Sequence, residues 1–472
     1  MMEFQLASRP IGLLTAALRE SYIYEANYIP IGILYFSVQN IFTYQEVKTM
    51  DRLKKKAGLL AENRSEATAE MPQGPLAAEE PASAPAMSRS VALLFAIACG
   101  LAVANIYYAQ PLLDSMASEL GIDRAAVGIV ITATQIFYAL GLLMLVPLGD
   151  LVNRRKLIVG QMLLSVLALL AVGTASTATV LLAGMGAVGL LAVVTQALVA
   201  YASTLAAPAE RGRVVGLVTS GVVIGILLAR TVAGTLTDLA GWRSVYFVSA
   251  GLTVLMAGLL FRILPREDHG KVPMTYPQLL RSVFALFVEE PVLRIRGILA
   301  LLIFASFSVL WTSLVLPLSS PPLSLSHTAI GSFGLVGVAG ALAAARAGRL
   351  ADRGLGQRTT GIALTLLLVS WLPISLTERS LWALIAGVVL FDLAVQAVHV
   401  TNQSMIYNVR PEARSRLAGA YMIFYSIGSA VGSISSTLMY ARAGWTGVCL
   451  LGASISGLAL LFWGLTRRLT PA

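Results

Sequence analysis

Residues 147–156 read Pro-Leu-Gly-Asp-Leu-Val-Asn-Arg-Arg-Lys, and residues 348–358 read Gly-Arg-Leu-Ala-Asp-Arg-Gly-Leu-Gly-Gln-Arg. Each stretch follows a long apolar run, places an acid at the run's end and then clusters arginines in a tight turn. An acid there can pair with an arginine or cap a neighbouring helix, whose dipole favours negative charge at its N-terminus. The two turns occupy the same ordinal position, one after the second and one after the eighth apolar run from residue 90 onward. A repeat with that spacing indicates an internal duplication of the parallel kind found in membrane transporters.

The composition agrees. Of 472 residues, 57% are hydrophobic and 12% charged, with a mean hydropathy of +0.78; a soluble domain carries about 25% charged residues. Twelve runs near 20 residues long, the length that crosses about 30 Å of hydrocarbon, lie between residues 90 and 466. The expected fold is all-α and membrane-embedded, with twelve transmembrane helices in two pseudo-symmetric six-helix bundles. The first bundle is expected over 90–265, a linker over 266–296, the second bundle over 297–466 and a tail over 467–472.

Charge orients the spans. With alternate loops assigned to opposite sides, twenty Lys and Arg residues fall on one side and four, Arg124, Arg243, Arg379 and Arg442, on the other. The positive-inside rule makes the rich side cytoplasmic, with both termini and the linker there. The net charge of +10 is therefore a topology signal, and no nucleic-acid partner is implied. Residues 1–89 fit no span: Lys54-Lys55-Lys56 leads into an Ala/Glu/Pro stretch that reads as disordered. The expectation is an extension without a fold of its own, or an upstream start with Met87 as initiator.

Here the sequence resembles the major facilitator superfamily over essentially all of 90–466. The second turn fits that family's signature loop, Gly-x-Leu-Ala-Asp-Arg, with one extra residue before its last arginine. The first departs from it, with Val146 and Asn153 where glycines are usual. Two further stretches are similar to a bacterial group holding sugar, purine-nucleoside and drug exporters. These are Ala104-Asn105-Ile106-Tyr107-Tyr108-Ala109-Gln110-Pro111-Leu112-Leu113 and Gly225-Ile226-Leu227-Leu228-Ala229-Arg230-Thr231-Val232-Ala233-Gly234. The resemblance implies alternating access to a central cavity and efflux coupled to proton entry. The Gly-Pro pair usual in the fifth helix of drug–proton antiporters is absent, since Ile226 follows Gly225, and the fourth span has no arginine.

Ionisable side chains near the bilayer centre cost about 2.5–3.5 kcal/mol on insertion scales, so those retained are functional candidates. Arg230 in the fifth span and Asp392 in the tenth lie at similar depth and could neutralise each other. Asp392, Gln396, His399 and Gln403 follow i, i+4, i+7, i+11, which confines them to an arc of roughly 60° on a helix. Such a stripe must face protein or water. Burial disfavours an ionised carboxyl and a nearby arginine favours it, so making and breaking an Asp392–Arg230 pair could load and release a proton. His399 is a candidate relay, although a histidine in an apolar helix also serves simply as a hydrogen-bonding core residue.

Asn105, Tyr108, Gln110, Gln196, Trp311 and Thr312 are the remaining candidates for a cavity suited to a polar, ring-bearing or hydroxylated solute. Gly149, Asp150, Arg154, Arg155, Gly348, Asp352, Arg353 and Arg358 are expected to form a cytoplasmic gate. The pairs Gly221/Gly225 and Gly428/Gly432, with Gly334/Gly337/Gly340, allow close helix contact and are expected where helices slide during rocking. No metal, cofactor or disulfide is implied; Cys99 and Cys449 sit in apolar runs. Nor is there a nucleophile–base or metalloenzyme motif, so an embedded enzyme is the weakest reading. The expected protein is a monomeric inner-membrane transporter moving a small molecule with protons, the alternatives being a proton-coupled importer and a facilitator.

Overall fold

The computed structural model describes residues 88–206, 210–265, 275–337, 347, 350–407, 409–410 and 414–469. The expectations for residues 1–87, for Gly340 and for Gly348 therefore lie outside the described residues, as do the side chains of Asp150 and Asp352.

Among the described residues, ten helices are long and apolar enough to cross a membrane. The first span is α1 (Arg89–Tyr107), started by the Ser88 side chain accepting from Val91 N–H, then a tight turn at Pro111 and α2 (Leu113–Leu120). Next come α3 (Ile129–Met144) and α4 (Arg154–Gly173), the latter capped by Asn153. The fourth span is α5 (Ala178–Leu191) continued by α6 (Val194–Leu205). After it run α7 (Arg211–Ala240) and α8 (Trp242–Ile263).

In the stretch expected as a linker the chain forms α9 (Tyr276–Glu289), opened by Pro277 and a box in which Thr275 N–H donates to Gln278. The seventh span begins earlier than expected, as α10 (Pro291–Ser313) with the short α11 (Val315–Ser319). Arg296, assigned by sequence to the loop, is therefore inside α10 and wholly buried, its guanidinium donating to Thr360 and Asn402. These bonds account for an arginine buried inside a span.

The rest is α12 (His327–Val336), α13 (Gly356–Ser375), α14 (Leu381–Tyr407) and α15 (Arg414–Thr466). The 53-residue α15 breaks at Ala443–Gly444, where Gly444 takes a positive φ of 59°, and so supplies the last two passes. Large apolar side chains such as Leu167, Leu255, Leu372 and Leu461 point outward, as a surface facing acyl chains requires.

The glycine pairs correct one expectation. A Cβ at Gly221 or Gly225 would fall within 2.3 Å of a carbonyl oxygen of α1, and one at Gly428 or Gly432 within 2.3 Å of α10. These seams bind helices of the same half, in matching positions, and are not places where halves slide. The halves meet instead along α3 against α15 and α7 against α12. Thr132 donates to Ala430 O at 2.8 Å, Thr437 to Ala125 O at 2.9 Å and Thr231 to Gly331 O at 3.1 Å. All three bonds lie toward the end of the molecule opposite the arginine-rich turns, where the halves are closed on each other.

Candidate functional site

Between the halves, Arg230 turns inward from α7 and is 3% exposed. Gly331 of α12 lies so close that a Cβ there would stand 2.3 Å from the Arg230 carbonyl oxygen. The Arg230 Nε donates to Gln110 Oε1 at 2.8 Å. Its guanidinium carbon lies 4.0 Å from the ring centroid of Trp311, with Tyr107 and Phe307 at 5.2 and 5.6 Å. Three electron-rich faces around a desolvated cation can contribute about 2 kcal/mol or more. Among the described residues the buried Nη2 of Arg230 has no hydrogen-bond partner.

Trp311 joins this cation to the acid. Its Nε1 donates to Asp392 Oδ1 at 3.3 Å while its face carries Arg230. Among the described residues no ion pair within 4.0 Å links Arg230 to Asp392, because Gln110 and the indole occupy the arginine's inner side. Gln110, Arg230, Trp311 and Asp392 form a chain of contacts running from one half into the other, with the indole between the two charges.

Asp392 is buried, whereas Gln396, His399 and Gln403 on the same α14 face are half-buried. The polar stripe thus gains access along α14 toward the arginine-rich side. His399 Nδ1 lies 2.9 Å from Tyr421 Oη and its ring meets Phe304 edge-on, centroids 5.1 Å apart.

Other candidates point elsewhere. Asn105 accepts from Ser249 at 2.6 Å and lines a void of about 10 Å³ between α1, α4 and α8. Tyr108 lies on the same Ser249 side. Thr312 bonds Ser433 at 3.0 Å inside the second half. These three are packing contacts in this state. Gln196 is half-buried on α6 beside Tyr138. At the arginine-rich turns, Arg154 donates from Nε to Gly149 O at 3.1 Å and from Nη1 to Thr204 at 2.9 Å. Arg155 donates to Phe261 O, and Arg353 and Arg358 are exposed.

Sequence reasoning missed two features. Tyr107 and Tyr425 place their hydroxyls 2.6 Å apart, joining α1 to α15. His327 touches both Asp114 and Asp238. Tyr107 stands in a stretch that drew notice, but nothing local marks its partner.

A closed inter-half seam at one end, a buried cation–indole–carboxylate relay at its base and a polar stripe leading away from it define a membrane transporter built from two related helical halves. The Major Facilitator Superfamily profile matches residues 94–359 and 296–472, and the chain belongs to that family. It is 48% identical over 377 residues to the uncharacterized transporter YgaY of Escherichia coli O157:H7, covering 80% of this chain and 95% of that one. It is 21% identical over 356 residues to a probable sugar efflux transporter of Helicobacter pylori, covering 75% and 88% respectively. Among solved structures, a bacterial homologue of the human lysosomal transporter Spinster, inward-facing and occupied, superposes with a TM-score of 0.67. That match has 14% identity and covers 80% of this chain and 96% of the other.

Proposed function

We propose that this protein exports small polar organic solutes across the bacterial inner membrane in exchange for protons, by alternating access. In this reading the arginine-rich loops and both termini are cytoplasmic, so the closed seam faces outward and the described state opens inward. The observation that carries the proposal is the Trp311 bridge between Arg230 and Asp392 at the closed end of the α14 stripe.

A hydroxylated solute entering from the cytoplasm along Gln403, His399 and Gln396 would add its own donor to Asp392 beside the indole. Donors favour the ionised carboxylate, so its proton leaves to the cytoplasm as the solute binds. Outward opening releases the solute, the desolvated carboxylate then takes a proton from the outer medium, and the return step carries that proton inward. The kinship to a probable sugar efflux transporter supports a hydroxylated cargo and outward movement. Amide and aromatic side chains suit such a solute by edge and by face. Arg154 and Arg155, tied to Gly149, Thr204 and Phe261, would steady the cytoplasmic gate together with Asp150, Asp352, Arg353 and Arg358.

The test uses everted membrane vesicles with a respiration-driven acid interior and a pH-sensitive dye. Sugars, nucleosides and cationic drugs are added to wild type and to Asp392→Asn. A solute that collapses the gradient in wild type and not in the variant is the expected result. An equal response in both would remove Asp392 from coupling. Labelled-solute uptake without any proton movement would make the protein a facilitator.

A further inference from the structure

At the closed end of the seam, α12 begins against two carboxylates that belong to the other half. His327, its first residue, has Nδ1 3.2 Å from Asp238 Oδ1 at the end of α7. Its Nε2 lies 3.2 Å from Asp114 Oδ1 and 2.9 Å from Ser115 Oγ, both on α2. Asp238 also accepts the backbone N–H groups of His327 at 3.1 Å and Thr328 at 2.7 Å. The acid of one half therefore caps a helix of the other, where the dipole favours its charge.

The arrangement asks for a charged ring. A neutral imidazole offers one N–H and one lone pair, while an ionised carboxylate only accepts. With a carboxylate at each nitrogen, both bonds exist only when both nitrogens are protonated. On losing a proton the ring keeps the Asp238 bond and can accept from Ser115, but gives up its bond to Asp114. Among the described residues Asp114 has no other ion pair within 4.0 Å. Glu119 and Arg243 are paired with each other at 3.0 Å. Arg124 shares with Glu119 the mouth of about 530 Å³ that Asp114 and Ser115 line. The described segments of α11 and α12 add no other charged side chain, and Asp392 of α14 lies beside Gly337, ten residues along the chain.

We propose that His327, Asp114 and Asp238 form a proton-operated latch on the outward gate: the imidazolium holds the two halves together, and its deprotonation by the outer medium frees that side to open. That this side is outward rests on the orientation proposed above; the latch itself does not. Among the described residues only His327 bonds across to both acids, so its proton state is felt directly by the seam that Gly234, against His327 O, and Gly331, against Arg230 O, keep close.

The direction follows from the same contacts. The hydrogen bond to Asp114 first, then the charges of Asp114 and the bond to Asp238, hold His327 above its ordinary value against partial desolvation. In the open state these partners are gone and the ordinary value of about 6.5 returns. The stabilisation of the closed state is complete below about 6.5 and is lost as pH rises through the raised value. Acid outside keeps the gate shut, and alkaline medium releases it.

The test places spin labels at Ser176→Cys and Glu378→Cys, in loops of the two halves on this side, in the full-length protein in nanodiscs. The native Cys99 and Cys449 are buried. The long-distance population of wild type should rise by about fivefold between about pH 5.5 and about pH 8.5, a modest coupling free energy. His327→Gln, which keeps a donor and an acceptor without a titration, should flatten that rise, and Asp114→Asn should at least halve it. The rise should persist in Asp392→Asn, which separates the latch from the central carboxylate. A wild-type response in His327→Gln overturns the latch; where that variant does not fold, an undiminished response in Asp114→Asn overturns it equally.

Discussion

The hydroxyls of Tyr107 and Tyr425 meet at 2.6 Å, one from α1 of the first half and the other from the first pass of α15 in the second. Tyr425 also sits against Phe304, with centroids 4.2 Å apart, and Phe304 against His399. One hydrogen bond thus ties the closed seam to the aromatic wall of the polar stripe.

That bond should bias the conformational equilibrium. Tyr425→Phe keeps the ring packing and removes a neutral hydrogen bond worth about 0.5–1.5 kcal/mol net. The outward-open population, read as the long-distance fraction of a label pair across the seam, should rise by roughly 2- to 10-fold. An unchanged population would mean the two hydroxyls exchange protein for water partners at no cost.

Trp311 is expected to matter as a donor beyond its bulk. Trp311→Phe retains a ring under Arg230 but removes the Nε1 bond to Asp392. A hydrogen bond to a charged group contributes about 1.5–3 kcal/mol. Solute-driven proton flux should fall by about tenfold or more, with expression and melting temperature little altered. Flux near wild type would show that the carboxylate finds another donor during the cycle.

Much of this was legible in the sequence. The apolar runs and the twice-used Asp-Arg turn mark the helices, because hydrocarbon admits few other chain conformations. Arg230 and Asp392 stood out because each is a charge in an apolar run. Facing was harder to read. Asn105 and Thr312 are polar and sit on the expected helices, yet they turn to Ser249 and Ser433 within their own halves. Which face of a helix meets a sibling helix and which meets the cavity depends on crossing geometry that spacing does not encode. His327 was hardest, as its partners lie 213 and 89 residues away in the chain.

The glycines separate fold from gate. At Gly225 a Cβ would stand 2.3 Å from Gly100 O, inside the first half. At Gly331 it would stand 2.3 Å from Arg230 O, between halves. Overpacking costs about 1–3 kcal/mol in either place, but its consequence differs. Gly225→Val should lower the melting temperature and yield, since the α1–α7 seam has no second arrangement to adopt. Gly331→Ala should fold normally and shift the label pair toward the open state, which relieves the clash. The reverse pattern would place the moving boundary along α1–α7.

The latch also predicts a pH profile of stability that needs no solute. His327 is held above its ordinary value in the closed state, chiefly by its bond to Asp114. Unfolding or opening returns it to about 6.5, so protons stabilise the closed protein and that stabilisation fades as pH climbs. Melting of the detergent-solubilised protein should therefore show a fall in midpoint between about pH 6 and about pH 8 that His327→Gln lacks. Asp238→Ala should be the more damaging change. It removes the imidazole's partner and also the cap on the His327 and Thr328 N–H groups, and loss of a cap costs about 1 kcal/mol. Its midpoint should lie below that of His327→Gln at every pH. If the two variants melt alike, the cap contributes nothing and Asp238 acts through the imidazole alone.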